Sequence, residues 1–281
     1  MTVQTADRLE TPPMPTTAAQ RLRWAAADAW TVTGRDVAHW ARQPGTLIVN
    51  LLFMVMVVLL FGYLFGGAMT VPGGGSYREF LLPGMFALSM LFGVEATMVA
   101  VTTDAARGVT DRFRAMPMAR SAVVAGRALA DMANSVLGLA VLLACGLLVG
   151  WGWHGSAADT LAAVGLLLLL RFALIWVGVY LGLLVGNPEA VVAVQILVWP
   201  LGFLSNAIAP TATMPGWLAV VAEWNPLSAT ITATRELFGN PGLGGVSWAD
   251  QHALLLAVLW PLAILAVFLP LAVHRWQRLS R

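Results

Sequence analysis

Thr160-Leu-Ala-Ala-Val-Gly-Leu-Leu-Leu-Leu-Leu-Arg171-Phe-Ala-Leu-Ile-Trp-Val-Gly-Val-Tyr-Leu-Gly-Leu-Leu-Val-Gly186 carries a single charged side chain, Arg171. A helix needs roughly 20 apolar residues to cross a bilayer core. This run is long enough to do so with a tilt, or to extend past the core. A chain inside lipid must satisfy its own backbone polar groups, which leaves helices or closed barrels. The run has none of the alternation of a barrel strand, so it predicts a transmembrane helix.

Working outward from it, Thr46–Gly66, Leu82–Thr103, Ala122–Gly150, Ala190–Ala209 and His252–Val273 have the same character. The sequence therefore predicts an all-α membrane protein with six transmembrane helices. Composition agrees. Hydrophobic residues make up 59% and charged residues 11%, with a mean hydropathy of +0.77. Soluble domains run at roughly 45–50% apolar and about 25% charged, so no sizeable soluble domain is expected. Residues 1–18 read as a disordered tail, 19–45 as an amphipathic helix and 46–281 as the transmembrane domain. Met1–Thr17 lacks the apolar centre of a cleaved signal peptide.

Arginine sets the expected orientation, since the sequence contains no Lys. Arg21, Arg23, Arg35 and Arg42 precede the first span, Arg107, Arg112, Arg114 and Arg120 lie between the second and third, and Arg275, Arg278 and Arg281 follow the last. Only Arg78 and Arg235 fall on the opposite side. Positive residues accumulate on the cytoplasmic side, so both termini are expected there, in a bacterial inner membrane. Trp151, Trp153, Trp217, Trp224 and Trp248 cluster near the outer ends, as an interfacial belt would.

Two flanking segments have helical patterns of their own. In Ala19–Arg42, Arg21, Asp28, Arg35 and Arg42 form one stripe, with Leu22, Ala26, Trp30, Val37 and Trp40 mostly on another. A basic amphipathic helix with Trp on its apolar side lies flat in the membrane interface; a solvated cytoplasmic helix is the alternative. Pro44 and Gly45 mark the bend into the first span. Before the last span, Met214–Glu223 and Leu227–Phe238 read as short half-apolar helices. They form either a re-entrant outer pair sheltered by protein or a partly structured outer loop.

The residues argue against an enzyme. His39, His154, His252 and His274 all lie near expected membrane surfaces, and neither H-E-x-x-H nor G-x-S-x-G occurs. The lone cysteine, Cys145, excludes an intramolecular disulfide. A phosphate-binding P-loop requires Lys, so the chain cannot hydrolyse ATP by itself. Charges inside spans are rare and mark functional sites. At ~1.5 Å per residue, Glu95 and Arg171 lie ~20 Å and ~16 Å from the outer ends of their spans. They are expected to form an intramembrane charge pair; Arg171 reaching for the lipid surface is the alternative. Between the second and third spans, Asp104, Arg107, Asp111 and Arg114 share a helical face, with Phe113 and Met116 on the other, until Pro117 stops the helix. A charged face with an aromatic knob suits docking onto a soluble partner, and equally a solvated loop helix.

Asp111-Arg-Phe-Arg-Ala-Met-Pro-Met-Ala-Arg-Ser-Ala-Val-Val-Ala-Gly-Arg-Ala-Leu-Ala-Asp131 resembles the cytoplasmic loop of ABC type-2 transporter permeases, closest to their daunorubicin-resistance branch. Gly186-Asn-Pro-Glu-Ala190, Pro200-Leu-Gly-Phe-Leu-Ser-Asn206, Thr213-Met-Pro-Gly-Trp-Leu218, Asn225-Pro226 and Arg235 resemble further signatures of that branch, in the expected order. The resemblance implies a six-span permease domain that dimerises with a second copy and pairs with ABC ATP-binding subunits, which bind ATP and Mg. It implies that Ala19–Arg42 is the connecting helix. Contacts to the ATPase would come from Asp104, Arg107, Asp111, Arg112, Phe113, Arg114 and Pro117, with a smaller one at Asn187 and Glu189. It further implies export along a path lined by spans one, two and five. Phe53, Met56, Met90, Phe203 and Asn206 are the candidates there, because Met and Phe make an adaptable wall for hydrophobic cargo. The cargo is expected to be a drug-like or lipid molecule, with membrane lipid around it and no nucleic-acid partner. A lipid-linked glycan or cell-wall glycolipid cargo, or a non-transporting scaffold, are the alternatives. Asp104, often Glu in the family, and the polar Asn206 are departures that bear on substrate choice.

Overall fold

The computed structural model describes residues 17–42, 44–64, 76–108, 120–187, 189–242 and 247–278. Their order is α1 (Ala18–Arg42), α2 (Pro44–Leu64), α3 (Tyr77–Ala106), α4 (Arg120–Leu148), α5 (Ala157–Val185), α6 (Glu189–Phe203), a 3-10 turn at Thr211–Thr213, α7 (Gly216–Glu223), α8 (Pro226–Phe238), α9 (Trp248–Gln251) and α10 (Ala253–Arg278). No strand occurs among the described residues. Among them, four helices are long and apolar enough to cross a membrane: Tyr77–Ala106, Val123–Leu148, Ala157–Val185 and Ala253–Arg278. Leu52–Leu64 and Glu189–Phe203 are apolar but shorter. The chain is a multi-pass membrane protein. The sequence expected the fifth apolar helix to continue to Ala209. It stops at Phe203 instead, and Asn206 and Ala207 turn into the core.

Local chemistry explains several helix ends. Pro44 starts α2, since a missing N–H does no harm in a first helical turn. Ser156 and Asp159 form a reciprocal capping box on α5, and Gly186 ends that helix with a left-handed φ of 75°. Asn225 caps α8, with Pro226 in its first turn, and Gly239 closes it at φ 68°.

α3 and α5 form the centre of the bundle. Gly178 and Gly182 of α5 face α3, where a Cβ on Gly178 would stand 2.9 Å from Thr97 Cβ and one on Gly182 3.0 Å from Val101 Cβ. Small residues at this four-residue spacing let helices approach closely in a membrane, where dispersion drives association. α10 packs along another side of α5, and α8 fits among α3, α5 and α10 with most of its side chains buried. Phe80, Leu81, Leu82, Phe86, Leu167, Leu170, Ile231 and Phe238 form the main core.

α1 packs against α4 through Ala29, Val32 and Thr33. Gly126 makes the approach possible: a Cβ there would lie 2.8 Å from Val32 Cβ. Trp30 stays 74% exposed on another face, with Val37 also exposed. The helix therefore divides into a narrow packed edge and an outward apolar stripe.

Candidate functional site

Asp104 lies in the last turn of α3 and gathers two arginines. Its Oδ2 accepts from Arg127 Nη1 of α4 at 2.7 Å and lies 3.5 Å from Arg35 Nη2 of α1. Arg107, exposed, ends α3 with its backbone N–H on the Thr103 and Ala105 carbonyls. A small cavity of about 40 Å³ at this junction is lined by Val32, Arg35, Val101, Asp104, Arg127 and Trp276, among others. Three elements thus meet at one carboxylate. Asp111, Arg112, Phe113, Arg114 and Pro117, and the helix expected over them, lie outside the described residues.

From this junction a line of polar groups runs into the bundle. Arg127 Nε lies 3.6 Å from Asp131 Oδ1, one turn along α4. Ser135 Oγ, a further turn along, donates to the Asp131 carbonyl at 2.7 Å. Arg171 of α5, fully buried, donates through Nε to Ser135 Oγ at 2.7 Å and through Nη2 to Thr97 Oγ1 of α3 at 3.0 Å. Its guanidinium lies over Gly93, where even a methyl would clash with Nη1 at 2.7 Å.

The expected pairing of Glu95 with Arg171 does not form. Glu95 Oε2 accepts instead from Gln195 Nε2 of α6 at 2.6 Å. Thr97, two residues on, is rotated toward α5 while Glu95 points toward α6. One residue is ~100° of helical rotation, so Glu95 and Thr97 address different neighbours. The sequence marked both charges. It did not mark Thr97, Ser135 and Gln195, whose side chains are common in helices and carry no distinctive signal.

The five candidate path residues separate. Phe53, Met56 and Phe203 are exposed, at 51%, 56% and 52%. Met90 and Asn206 are core residues, 2% and 0% exposed, and do not line a surface here. Asn206 is held by a polar stripe on α8. Its backbone N–H donates to Ser228 Oγ at 3.1 Å, its Nδ2 to Thr232 Oγ1 at 2.8 Å, and its carbonyl accepts from Arg235 Nη2 at 2.8 Å. Ser228, Thr232 and Arg235 recur at i, i+4 and i+7, which is a helical face, and that spacing is the signal that could have exposed the contact. Asn187, expected at a partner contact, caps the start of α6 by accepting from Ala190 N at 2.8 Å. Glu189 stands exposed in the first turn.

Arg78, at the other end of the bundle, staples helix ends. Arg78 donates through Nε to the Gly62 carbonyl at 3.3 Å and through Nη1 to the Val149 carbonyl at 3.1 Å, and lies 4.7 Å from the Tyr63 ring centroid. Nearby, Trp151 Nε1 donates to Asn240 Oδ1 at 2.9 Å and Asn240 Nδ2 to the Gly152 carbonyl at 2.8 Å. The α4–α5 connection is thereby tied to the end of α8.

Comparison with known proteins points one way. The model of the ABC-2 type transporter family matches residues 27–238. The daunorubicin resistance ABC transporter permease protein DrrB1 of Streptomyces coeruleorubidus is 33% identical over 86% of this chain and 83% of its own length. The putative transport permease ycf38 of Porphyra purpurea is 25% identical, over 74% of this chain and 75% of its own. The probable doxorubicin resistance ABC transporter permease protein DrrC of Mycobacterium tuberculosis is 23% identical, over 83% and 85%.

Proposed function

The chain belongs to the ABC-2 type transporter family as a permease component, and on that premise we propose that it is the membrane half of an ATP-driven exporter for hydrophobic, drug-like or lipid molecules. Hydrolysis comes from a separate ABC ATP-binding subunit, which holds ATP and its magnesium ion. This chain has no Lys and hence no P-loop. α2 and α6 join the four longer apolar helices to make six crossings, with α7 and α8 as a re-entrant outer pair. Both termini and the Asp104 junction face the cytoplasm of a bacterial cell, in its inner membrane. Two copies assemble with two ATPase subunits around a path to which Phe53, Met56 and Phe203 contribute.

The observation that carries this reading is the convergence at Asp104. An ATPase docked on 104–120 pushes on the end of α3. Asp104 passes that displacement to α1 through Arg35 and to α4 through Arg127. Arg127, Asp131, Ser135 and Arg171 continue the contact toward the centre of the bundle. Helices so linked move as stiff rods, and the path between copies changes the side to which it opens.

The test is co-purification from native membranes in mild detergent. A stoichiometric soluble protein bearing a P-loop is expected, and is expected to be lost when Phe113→Ala and Arg114→Asp are combined. Recovery of an intact dimer with no ATPase would leave the scaffold reading in its place.

A further inference from the structure

Arg171 stands midway along α5, equidistant from Ala157 and Val185, in a helix with no other charge past its first turn. The groups its guanidinium bonds, Ser135 Oγ and Thr97 Oγ1, are neutral hydroxyls. Hydroxyls can orient a guanidinium but cannot balance its charge. Charges at mid-membrane depth face the bundle interior or a water-filled cavity and pair with an opposite charge or with carbonyls.

Asp131 is the carboxylate tied to the same hydroxyl. Ser135 Oγ accepts from Arg171 Nε and donates to the Asp131 carbonyl. Asp131 Oδ2 and Arg171 Nη1 are both buried, and neither bonds the other or any group among the described residues. One is an acceptor and the other a donor. An anion between them would meet the carboxylate, and a cation would meet the guanidinium. A molecule that accepts from Nη1 and donates to Oδ2 serves both, and water is the smallest that does.

A route for water leads to this point. The cavity of about 40 Å³ beside Asp104 has Arg127 in its wall, and a water needs roughly 10–15 Å³ of such space. Arg127 Nε lies 3.6 Å from Asp131 Oδ1, one turn deeper along α4. Side-chain exposure falls along the same line, from 31% at Asp104 to 16% at Arg127 and 10% at Asp131, with Arg171 buried behind them. Exposure that falls with depth describes a cleft open at its Asp104 end. From Arg127 to Ser135 it descends about 12 Å, at ~1.5 Å per residue. Arg235, the other fully buried arginine, has no such approach. Its Nη1 is also unpartnered among the described residues, but Tyr77, Phe80, Asn206 and Ala207 around it are all buried.

We propose that a water-filled cleft among α3, α4 and α5 opens at the Asp104 junction and ends at a water bridging Asp131 Oδ2 and Arg171 Nη1. Asp131 is then the counter-ion of Arg171 across that water. The charge at the middle of the bundle is in contact with the solution on the Asp104 side and sealed from the other. The inference rests on the exporter reading only in calling that side cytoplasmic.

Exchange of guanidinium protons tests it. The full chain, labelled with 15N-arginine in phosphatidylcholine liposomes, is moved into deuterated buffer and followed by solid-state NMR. Arg171 and Arg235 are assigned by the signals lost in Arg171→Gln and Arg235→Lys. Arg171 is expected to exchange at least tenfold faster than Arg235, although both are fully buried. Within Arg171, Nη1 is expected to lead Nη2, which Thr97 holds. Narrowing the cavity with Val124→Ile and Val179→Ile together is expected to slow Arg171 at least fivefold and leave Arg235 unchanged; Val179→Ile alone serves if the pair does not fold. Equal rates at the two arginines, or an Arg171 rate that the narrowed cavity leaves unmoved, would overturn the inference. No ATPase subunit enters this assay. A chain that recruits an ATPase with Arg171 sealed defeats only the cleft, and one with the cleft but no ATPase defeats only the exporter reading.

Discussion

Arg235 and Phe80 are joined twice, the guanidinium lying 3.7 Å from the Phe80 ring centroid while its Nε donates to the Phe80 carbonyl at 2.9 Å. The same side chain reaches the Asn206 carbonyl through Nη2. One buried cation therefore ties α8 to the first turn of α3 and to the chain leaving α6. An arginine can do this because its planar fork aims several donors at once and still presents a flat face to a ring.

Replacing Arg235 with Met keeps much of the volume and removes every donor, leaving buried carbonyls without partners. Each unsatisfied buried group costs roughly 1–3 kcal/mol, so a total loss of about 2–4 kcal/mol is expected. Thermal unfolding in detergent should place Arg235→Lys between wild type and Arg235→Met. A Met variant that melts with wild type would show that these contacts hold nothing in place.

Glu95 and Arg171 have separate partners, so their substitutions should not communicate. Glu95→Gln and Arg171→Gln are expected to add within about 0.3–0.5 kcal/mol in a double-mutant cycle. Arg171→Gln combined with Ser135→Ala should depart from additivity, because Arg171 Nε and Ser135 Oγ are in contact at 2.7 Å. Coupling between the first two and none between the second two would reverse the assignment.

Two glycines with the same chemistry should behave oppositely. A Cβ on Gly84 would run into the Ala207 carbonyl, which is backbone and cannot turn aside, whereas one on Gly165 meets nothing within 4 Å. Gly84→Ala is expected to lower stability by about 1–3 kcal/mol, the usual cost of overpacking, and Gly165→Ala to leave the melting temperature unchanged or raised.

Asp104→Asn separates coupling from stability. The Asp104 side chain is 31% exposed, and ion pairs at such positions contribute about 0–1 kcal/mol. Its melting temperature should hardly move, while efflux by cells carrying the variant and its ATPase should fall severalfold. A large drop in melting temperature with normal efflux would make Asp104 a structural residue.

The helices were legible because apolar length is a one-dimensional property. The run Thr160–Gly186 became Ala157–Val185, and the short outer segment at Leu227–Phe238 became Pro226–Phe238. What could not be read was the rotation of one helix against the next. Glu95 and Arg171 sit at similar depth, and only the facing of α3 decides that Thr97, not Glu95, meets the guanidinium. Asn206 failed as a path residue for the same reason, since its polarity was visible and its inward direction was not. Asp104 was picked out by its place in a charged segment. Its actual ligands, Arg35 and Arg127, lie in helices on either side of it and depend on how α1 lies across α4.

The seam between α1 and α4 also sets an order of events during synthesis. Thr33 donates to the Gly126 carbonyl at 3.0 Å across a separation of 93 residues. At translation rates of about 5–20 residues per second, Gly126 leaves the ribosome roughly 5–20 s after Thr33. For that interval α1 exists without the groove that will receive it. Trp30 remains 74% exposed even in the finished fold. α1 is thus complete before its seat exists, and the insertion of α4 is the step that commits it to its final position.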